Sequence, residues 1–185
     1  MRRLEPRLEL IRRWCRGFSL IADIGAHHGH LAQHLSSDGH TVIATELSRP
    51  GFRQLQERLS AWPVDVRRGN GLEPILNEPI DIVVVAGLGF RSILDVVMRY
   101  SEMSSCPFFV VQPMQGALVF RHTLLERNWT IVKAQLTRYR DRFYATWMLD
   151  PYHLDKSDGL GMPNEFLDSP WYQQWLEYER RSDPG

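Results

Sequence analysis

The sequence predicts an α/β protein: a doubly wound, mostly parallel sheet of seven strands that ends in an antiparallel hairpin, with helices on both faces. Three observations carry this. Short apolar runs alternate with amphipathic stretches of helical period from Leu20 to Leu125. The first run, Leu20–Asp23, passes through Gly25 and Gly29 into an amphipathic stretch that Leu31 begins, the strand–loop–helix pattern of a ligand-binding parallel sheet. The last two runs, Trp129–Gln135 and Arg142–Leu149, are separated by a polar turn at Arg140-Asp141, too short for a crossover, and so pair antiparallel.

Length and composition narrow the class. At 185 residues the chain suits one domain with a small appendage, here residues 1–150 followed by a short helical tail, 151–185. Its 43% hydrophobic and 24% charged residues are those of an ordinary globular protein, which excludes a disordered chain. No apolar run approaches a membrane span, and Met-Arg-Arg-Leu-Glu-Pro has no signal-peptide core, so no membrane association and a cytoplasmic location are expected. Cys15 and Cys106 fit no zinc or CxxC spacing and suit a reducing compartment. Net charge is zero but polarised: residues 1–17 hold six Arg against two Glu, and residues 151–185 hold three basic against seven acidic side chains. A basic N-terminal arm is a candidate nucleic-acid surface. Oligomeric state is not legible, and a monomer is the default.

Each element follows from its own pattern. Leu4, Leu8, Ile11, Cys15 and Phe18 recur at helical spacing, while Arg2, Arg3, Arg7, Arg12, Arg13 and Arg16 cover most of the remaining surface and Gly17 ends the helix. Such a basic face is either only solvated or meets RNA, and both readings stand. The helix after the glycine turn runs from His28 to Ser37, and Thr41–Thr45 is the second strand, closed by Glu46. Ser48 opens the next helix with Pro50 in its first turn, and Phe52, Leu55, Leu59 and Trp62 form its apolar stripe. Val64–Arg67 is a short third strand before the turn Gly69-Asn70-Gly71. Ile80–Ala86 is continuously apolar, as a central parallel strand buried on both faces is, and runs into a second glycine turn, Gly87-Leu88-Gly89. A helix with Ile93, Leu94, Val97 and Met98 follows. Phe108–Gln112 is the fifth strand, stopped by Pro113, and a helix from about Ala117 carries Leu118, Leu124 and Leu125 and ends near Asn128. Beyond Pro151, Ser157–Pro163 reads as loop and Ser169-Pro170 as a helix start. Trp171, Trp175 and Tyr178 share one face of that last helix, which either packs onto the domain or meets a second copy or RNA.

A doubly wound sheet binds ligands at the carboxyl ends of its strands. A dinucleotide site wants GxGxxG, which Gly25-x-x-x-Gly29 is not. Asp23-x-Gly25-x-x-x-Gly29 instead resembles the cofactor loop of class I S-adenosylmethionine-dependent methyltransferases, a Rossmann-like fold that also ends in an antiparallel hairpin. The resemblance implies that Asp23 and the loop at Gly25, His28 and Gly29 hold the methionine part of the cofactor. It implies that Glu46 accepts hydrogen bonds from the ribose hydroxyls, and that Asn70, Gly71 and Ala86 complete the cofactor set. Plainer roles stand beside these: Gly25 and Gly29 permitting positive φ, Asp23 capping the turn, Glu46 a surface acid.

A longer set of residues narrows the family. Ala22-Asp-Ile-Gly-x-x-His28-Gly-x-Leu31, Ala44-Thr45, Gly71-Leu72, Ala86-Gly87-x-Gly89, Gln112-Pro113, Arg121 and Phe143-Tyr144 fall in an order that resembles the TrmK-like bacterial methyltransferases over residues 1 to about 150. These methylate N1 of an adenine in the D-loop region of tRNA. The resemblance implies an S-adenosylmethionine-dependent enzyme acting on tRNA. The acceptor pocket would be formed by Gly87, Gly89, Phe90, Gln112 and Pro113, with Arg91, Arg121 and the N-terminal arginines on phosphates. Phe90 would either stack on the base or pack under the next helix. The pattern departs from the family's at His27 and Asn70, which stand where an acid is usual, at His30 and Leu88, where tyrosine and methionine are usual, and at Phe90 and Met114, which replace small or polar residues; the C-terminal helical extension is also shorter. Two alternatives therefore stay open, a divergent relative with lost or altered activity and a small-molecule methyltransferase. His27, His28, His30, His34 and His40 crowd one region, but no His-Glu-x-x-His arrangement or third ligand is evident, and no metal is expected.

Overall fold

A computed structural model describes residues 1–101, 106–127, 129–151 and 164–182 of the chain. Its element order is α1 (Pro6–Trp14), β1 (Leu20–Ile24), α2 (His30–Ser37), β2 (Thr41–Glu46), α3 (Arg49–Leu59), β3 (Val64–Arg68), a 3-10 turn (Glu73–Ile75), β4 (Ile82–Leu88), α4 (Phe90–Ser101), β5 (Phe108–Pro113), α5 (Ala117–Glu126), β6 (Thr130–Tyr139), β7 (Arg142–Asp150), α6 (Asn164–Leu167) and α7 (Tyr172–Ser182). The strands form one seven-stranded sheet in the order β3-β2-β1-β4-β5-β7-β6. The strand pairs β1–β2, β1–β4 and β2–β3 are parallel, and β7 is antiparallel to both β5 and β6. This is the predicted architecture. The loop Ser157–Pro163 and the helix end at Asn128 lie outside the described residues.

Residues 1–85 make one compact unit. Ile21, Ala22 and Ile82–Val85 are fully buried, which is why these strands carry no polar alternation. The edge strand β3 has no fully buried residue, and its Arg67 pairs with Asp65 at 2.7 Å and with Glu78 at 2.7 Å. In α1 the buried side is Leu4, Leu10, Ile11 and Cys15, so Leu10 takes a core place that the expected stripe assigned to Leu8. Ser48 caps α3, its side chain accepting from the Gly51 N–H at 3.1 Å.

Residues 86–185 make the second unit. Here β4 continues through Gly87 and Leu88, so the expected turn at Gly87–Gly89 is strand for its first two residues. Gly87 still needs a φ of 82°, and only a residue without Cβ takes that conformation at little cost. The strands β6 and β7 form a hairpin whose register, Tyr139↔Arg142, leaves Arg140 and Asp141 as its turn. The strand β7 is buried along most of its length while β6, at the sheet edge, mixes buried and exposed positions. Of the three aromatics expected on the last helix, Trp171 precedes α7, which begins at Tyr172, while Trp175 is 1% exposed, its ring edge-on to Phe166 at 5.2 Å. Tyr178 meets Phe143 at 6.0 Å, so this face packs onto the second unit. Among the described residues no helix is long and apolar enough to cross a membrane.

Removing the Trp175 side chain should be costly, because its indole fills buried space. Trp175→Ala is expected to lose about 3–5 kcal/mol, read as a lowered midpoint of urea unfolding, whereas Tyr178→Ala, half-buried, should lose clearly less.

Candidate functional site

The first unit brings three strand ends to one edge. The parallel register sets Asp23 beside Ala44, Ile24 beside Thr45, and Glu46 beside Arg68. Backbone bonds then tie the loops that follow: Ala26 N–H to the Thr45 carbonyl at 3.0 Å, and Gly69 N–H to the Glu46 carbonyl at 3.2 Å. The Thr45 hydroxyl donates to the Gly71 carbonyl at 3.3 Å. The glycine loop, Glu46 and the Gly69–Gly71 turn are therefore gathered by the sheet itself, as predicted from their positions at successive strand ends.

The loop Gly25–Gly29 turns by alternating left-handed residues: Gly25 has φ 67°, His27 φ 50° and Gly29 φ 68°. Position 27 is thus one where Asp, Asn or His is tolerated better than most side chains, and a histidine there keeps the turn. Gly29 is required on a second ground. A Cβ on it would come within 2.9 Å of Leu55 Cδ1 and 3.0 Å of Leu59 Cδ2, so the loop sits directly on α3.

Asp23 is 5% exposed at the end of β1, beneath this loop. Its carboxylate accepts the backbone N–H of Ala32, the third residue of α2, whose N-cap, Gly29, has no side chain. Asp23 therefore does cap the helix, the plainer of its two expected roles. Burial nevertheless outweighs that bond and pushes its pKa up to about 7. A cationic group placed against it would restore the carboxylate. Glu46 is half-buried, with Oε1 accepting from the Ser48 N–H and hydroxyl at 3.2 Å each, which orients the carboxylate at the end of β2. Asn70 is exposed in the next turn. Two acids and three positive-φ glycines, Gly25, Gly29 and Gly71, suit a ligand carrying an ammonium group and vicinal hydroxyls.

Two imidazoles beside the loop, His28 and His30, are shifted toward the neutral form. Desolvation comes first for His28, then His27, Arg58, His30 and Arg2, and together they lower its pKa; desolvation, Arg2 and Arg58 do the same for His30. His34 and His40 have structural work: His34 Nε2–H donates to the Arg2 carbonyl at 2.8 Å and His40 Nδ1–H to that of Phe18 at 2.8 Å. Both thiols are buried, and burial pushes Cys15 up to about 12 and Cys106 to about 11, so neither is a thiolate nucleophile at neutral pH.

The second unit brings together the residues expected at the acceptor. Met114 N–H donates to the Leu88 carbonyl at 2.9 Å, so the segments after β4 and β5 are joined. Gln112 is fully buried, and its Nε2 donates to the Pro113 carbonyl at 2.7 Å and to Met114 Sδ at 3.8 Å. Phe90 lies against Gly116, where a Cβ would approach Phe90 Cδ1 to 2.4 Å, and the Arg91 guanidinium stands 5.6 Å from the centre of its ring. Sequence reasoning missed Glu179. It is 4% exposed on α7, and its Oε2 accepts the Ala117 N–H at 2.9 Å. A glutamate on an otherwise aromatic helix face, four residues after Trp175, is the signal that it is buried.

Of the basic arm, Arg2, Arg3, Arg13 and Arg16 are exposed. Arg12 is engaged by Asp38 through two 2.6 Å bonds, which hold the Asp38 carboxyl below its usual range, and Arg7 pairs with Glu5 at 2.9 Å.

The raised pKa of Asp23 sets a pH dependence. Between the ordinary carboxylate pKa and about 7 the unfolded chain loses a proton that the folded chain keeps, so stability falls as pH rises through this window and levels above it. Asp23→Asn keeps an acceptor for Ala32 and removes the titration. Across that window the variant should gain on the wild type by about 1.4 kcal/mol per pH unit, read as a steadily widening gap in melting temperature.

Residues 4–146 match the family described as methyltransferase domain. The tRNA (adenine(22)-N(1))-methyltransferase of Bacillus subtilis is 22% identical over 177 residues, covering 91% of this chain and 74% of that one. An uncharacterised Listeria monocytogenes protein superposes with a TM-score of 0.75 at 26% identity, over 82% of this chain and 69% of that one. TrmK of M. capricolum, solved with the cofactor product S-adenosyl-homocysteine, superposes with a TM-score of 0.79 at 19% identity, over 96% of this chain and 84% of that one. With the family matched over residues 4–146, most of its length, this chain belongs to the methyltransferase domain family.

Proposed function

We propose that the chain is an S-adenosylmethionine-dependent tRNA methyltransferase that modifies N1 of an adenine, acting in the cytoplasm. The observation that carries this reading is the edge of the first unit, where the buried Asp23 lies under a left-handed glycine loop and Glu46 closes the adjoining strand. Asp23 would face the ammonium of the methionine part, Glu46 the ribose hydroxyls, and Asn70 an edge of the adenine ring. The likeness to tRNA adenine-N1 methyltransferases supports the acceptor.

The bound cofactor supplies an electrophilic methyl group on a sulfonium. Neutral adenine N1 carries a free lone pair, so its methylation would require no prior deprotonation by a side chain. What the chain supplies is placement. An adenine within folded RNA must be flipped out, at a cost of a few kcal/mol. We assign that pocket to the segments Gly87–Arg91 and Gln112–Gln115, with the exposed Arg2, Arg3, Arg13 and Arg16 on phosphates. A second reading, a relative that binds cofactor but has altered its reaction, is favoured by one observation. Phe90, at a position expected to meet the base, has its ring against Gly116.

Calorimetric titration with S-adenosylmethionine, followed by labelled methyl transfer to total tRNA and nucleoside analysis, tests these together. Binding with formation of 1-methyladenosine is the expected result. Absent binding would overturn the enzyme reading, and binding without transfer would select the second reading. Glu46→Ala should weaken cofactor binding about tenfold or more, through loss of a charged acceptor. Arg3→Gln with Arg13→Gln should lower the slope of log affinity for tRNA against log salt by up to about 0.9 per lost phosphate contact. An unchanged slope would remove the arm from the RNA surface.

A further inference from the structure

The last helix reaches the segments after β4 and β5 through one carboxylate. Ala117 is the first residue of α5, and its N-cap, Gly116, has φ 69° and no side chain to offer. The first turn of a helix presents unbonded N–H groups at the positive end of its dipole. Here the acceptor comes from Glu179, 62 residues downstream, at 2.9 Å. Gly116 is also the surface on which the Phe90 ring lies, so close that no Cβ fits between. Just upstream, Met114 is bonded to Leu88, and Gln112 to the Pro113 carbonyl. Leu88–Phe90 and Gln112–Gly116 are thus one connected assembly, and Glu179 holds its downstream end.

A pure packing role would not choose this side chain. Trp175, one turn earlier on the same helix face, already fills the buried space, and an apolar residue at 179 would avoid the cost of burying an acid. Resting on the proposed function, we propose that Glu179 is a positioning residue for methyl transfer, setting the conformation of Leu88–Phe90 and Gln112–Gly116 by holding the N-terminus of α5. The C-terminal helix is then part of the acceptor machinery without touching the reacting atoms.

The test uses the full chain with Glu179→Ala and Glu179→Gln, the latter keeping a carbonyl oxygen of the same reach. Hydrogen exchange should quicken at the Ala117 and Met114 amides in the alanine variant, while the Ala26 and Gly69 amides of the first unit stay as in the wild type. Affinity for S-adenosylmethionine should be unchanged. The kcat for tRNA should fall about tenfold or more with KM within about threefold, as expected of misplacement by a fraction of an ångström. Glu179→Gln should restore most of both signals. Unchanged exchange and kcat in the alanine variant would overturn the proposal. So would a glutamine variant as impaired as alanine with exchange raised throughout the chain, which marks general destabilisation. If the wild type transfers no methyl group to tRNA, the proposed function fails, and exchange at Ala117 and Met114 alone decides whether Glu179 sets these segments.

Discussion

The first unit depends on one buried acid. Asp23 ends a strand with apolar neighbours on both sides and receives an amide from the helix that follows. That contact serves one amide in the first turn of a helix whose N-cap, Gly29, has no side chain. It also leaves the carboxyl poorly solvated, so the folded chain holds a group that gains from meeting a cation. Structural need and ligand preference arise from the same side chain.

The neighbouring loops follow from the parallel sheet. Parallel strands all end on the same edge, and the register of β1, β2 and β3 brings the glycine loop, Glu46 and the Gly69–Gly71 turn level with one another. The interstrand bonds at Thr45 and Glu46 continue past the strand ends into the loops, so the polar groups there are placed by backbone geometry. Glu46 is further steadied by Ser48, the residue that caps α3. Each acid is thereby coupled to the start of a helix.

In the second unit the same problem, a glycine N-cap before a helix, has a different solution. Gly29 is relieved by an acid close in sequence, Gly116 by an acid on the last helix. The short C-terminal segment is consequently more than a cover for apolar surface: its aromatic face anchors it, and its carboxylate satisfies a buried amide beside Gln112-Pro113-Met114.

Much of this is legible in the sequence, and the physical reason is locality. The parallel class and the final antiparallel hairpin follow from alternating apolar runs and the short turn, and the position of Asp23, Gly25, Gly29 and Glu46 at strand ends from contiguity, since a strand, its loop and its helix follow one another in the chain; the order of the strands is set by the tertiary structure. Side-chain commitments across long separations are not legible. The pattern of α1 does not reveal that Arg12 is engaged by Asp38, 26 residues away, or that Leu10 replaces Leu8 in the core. Composition suggests a turn at Gly87-Leu88-Gly89, whereas the sheet carries Gly87 and Leu88 as strand. Glycine content alone determined that the backbone is unusual there, and only neighbouring strands could decide where it leaves the sheet. The sequence by itself determined which residues stand at the strand ends. Tertiary structure decided which of them are buried, which are already bonded, and that Glu179 completes α5, because burial and pairing depend on what distant segments bring alongside.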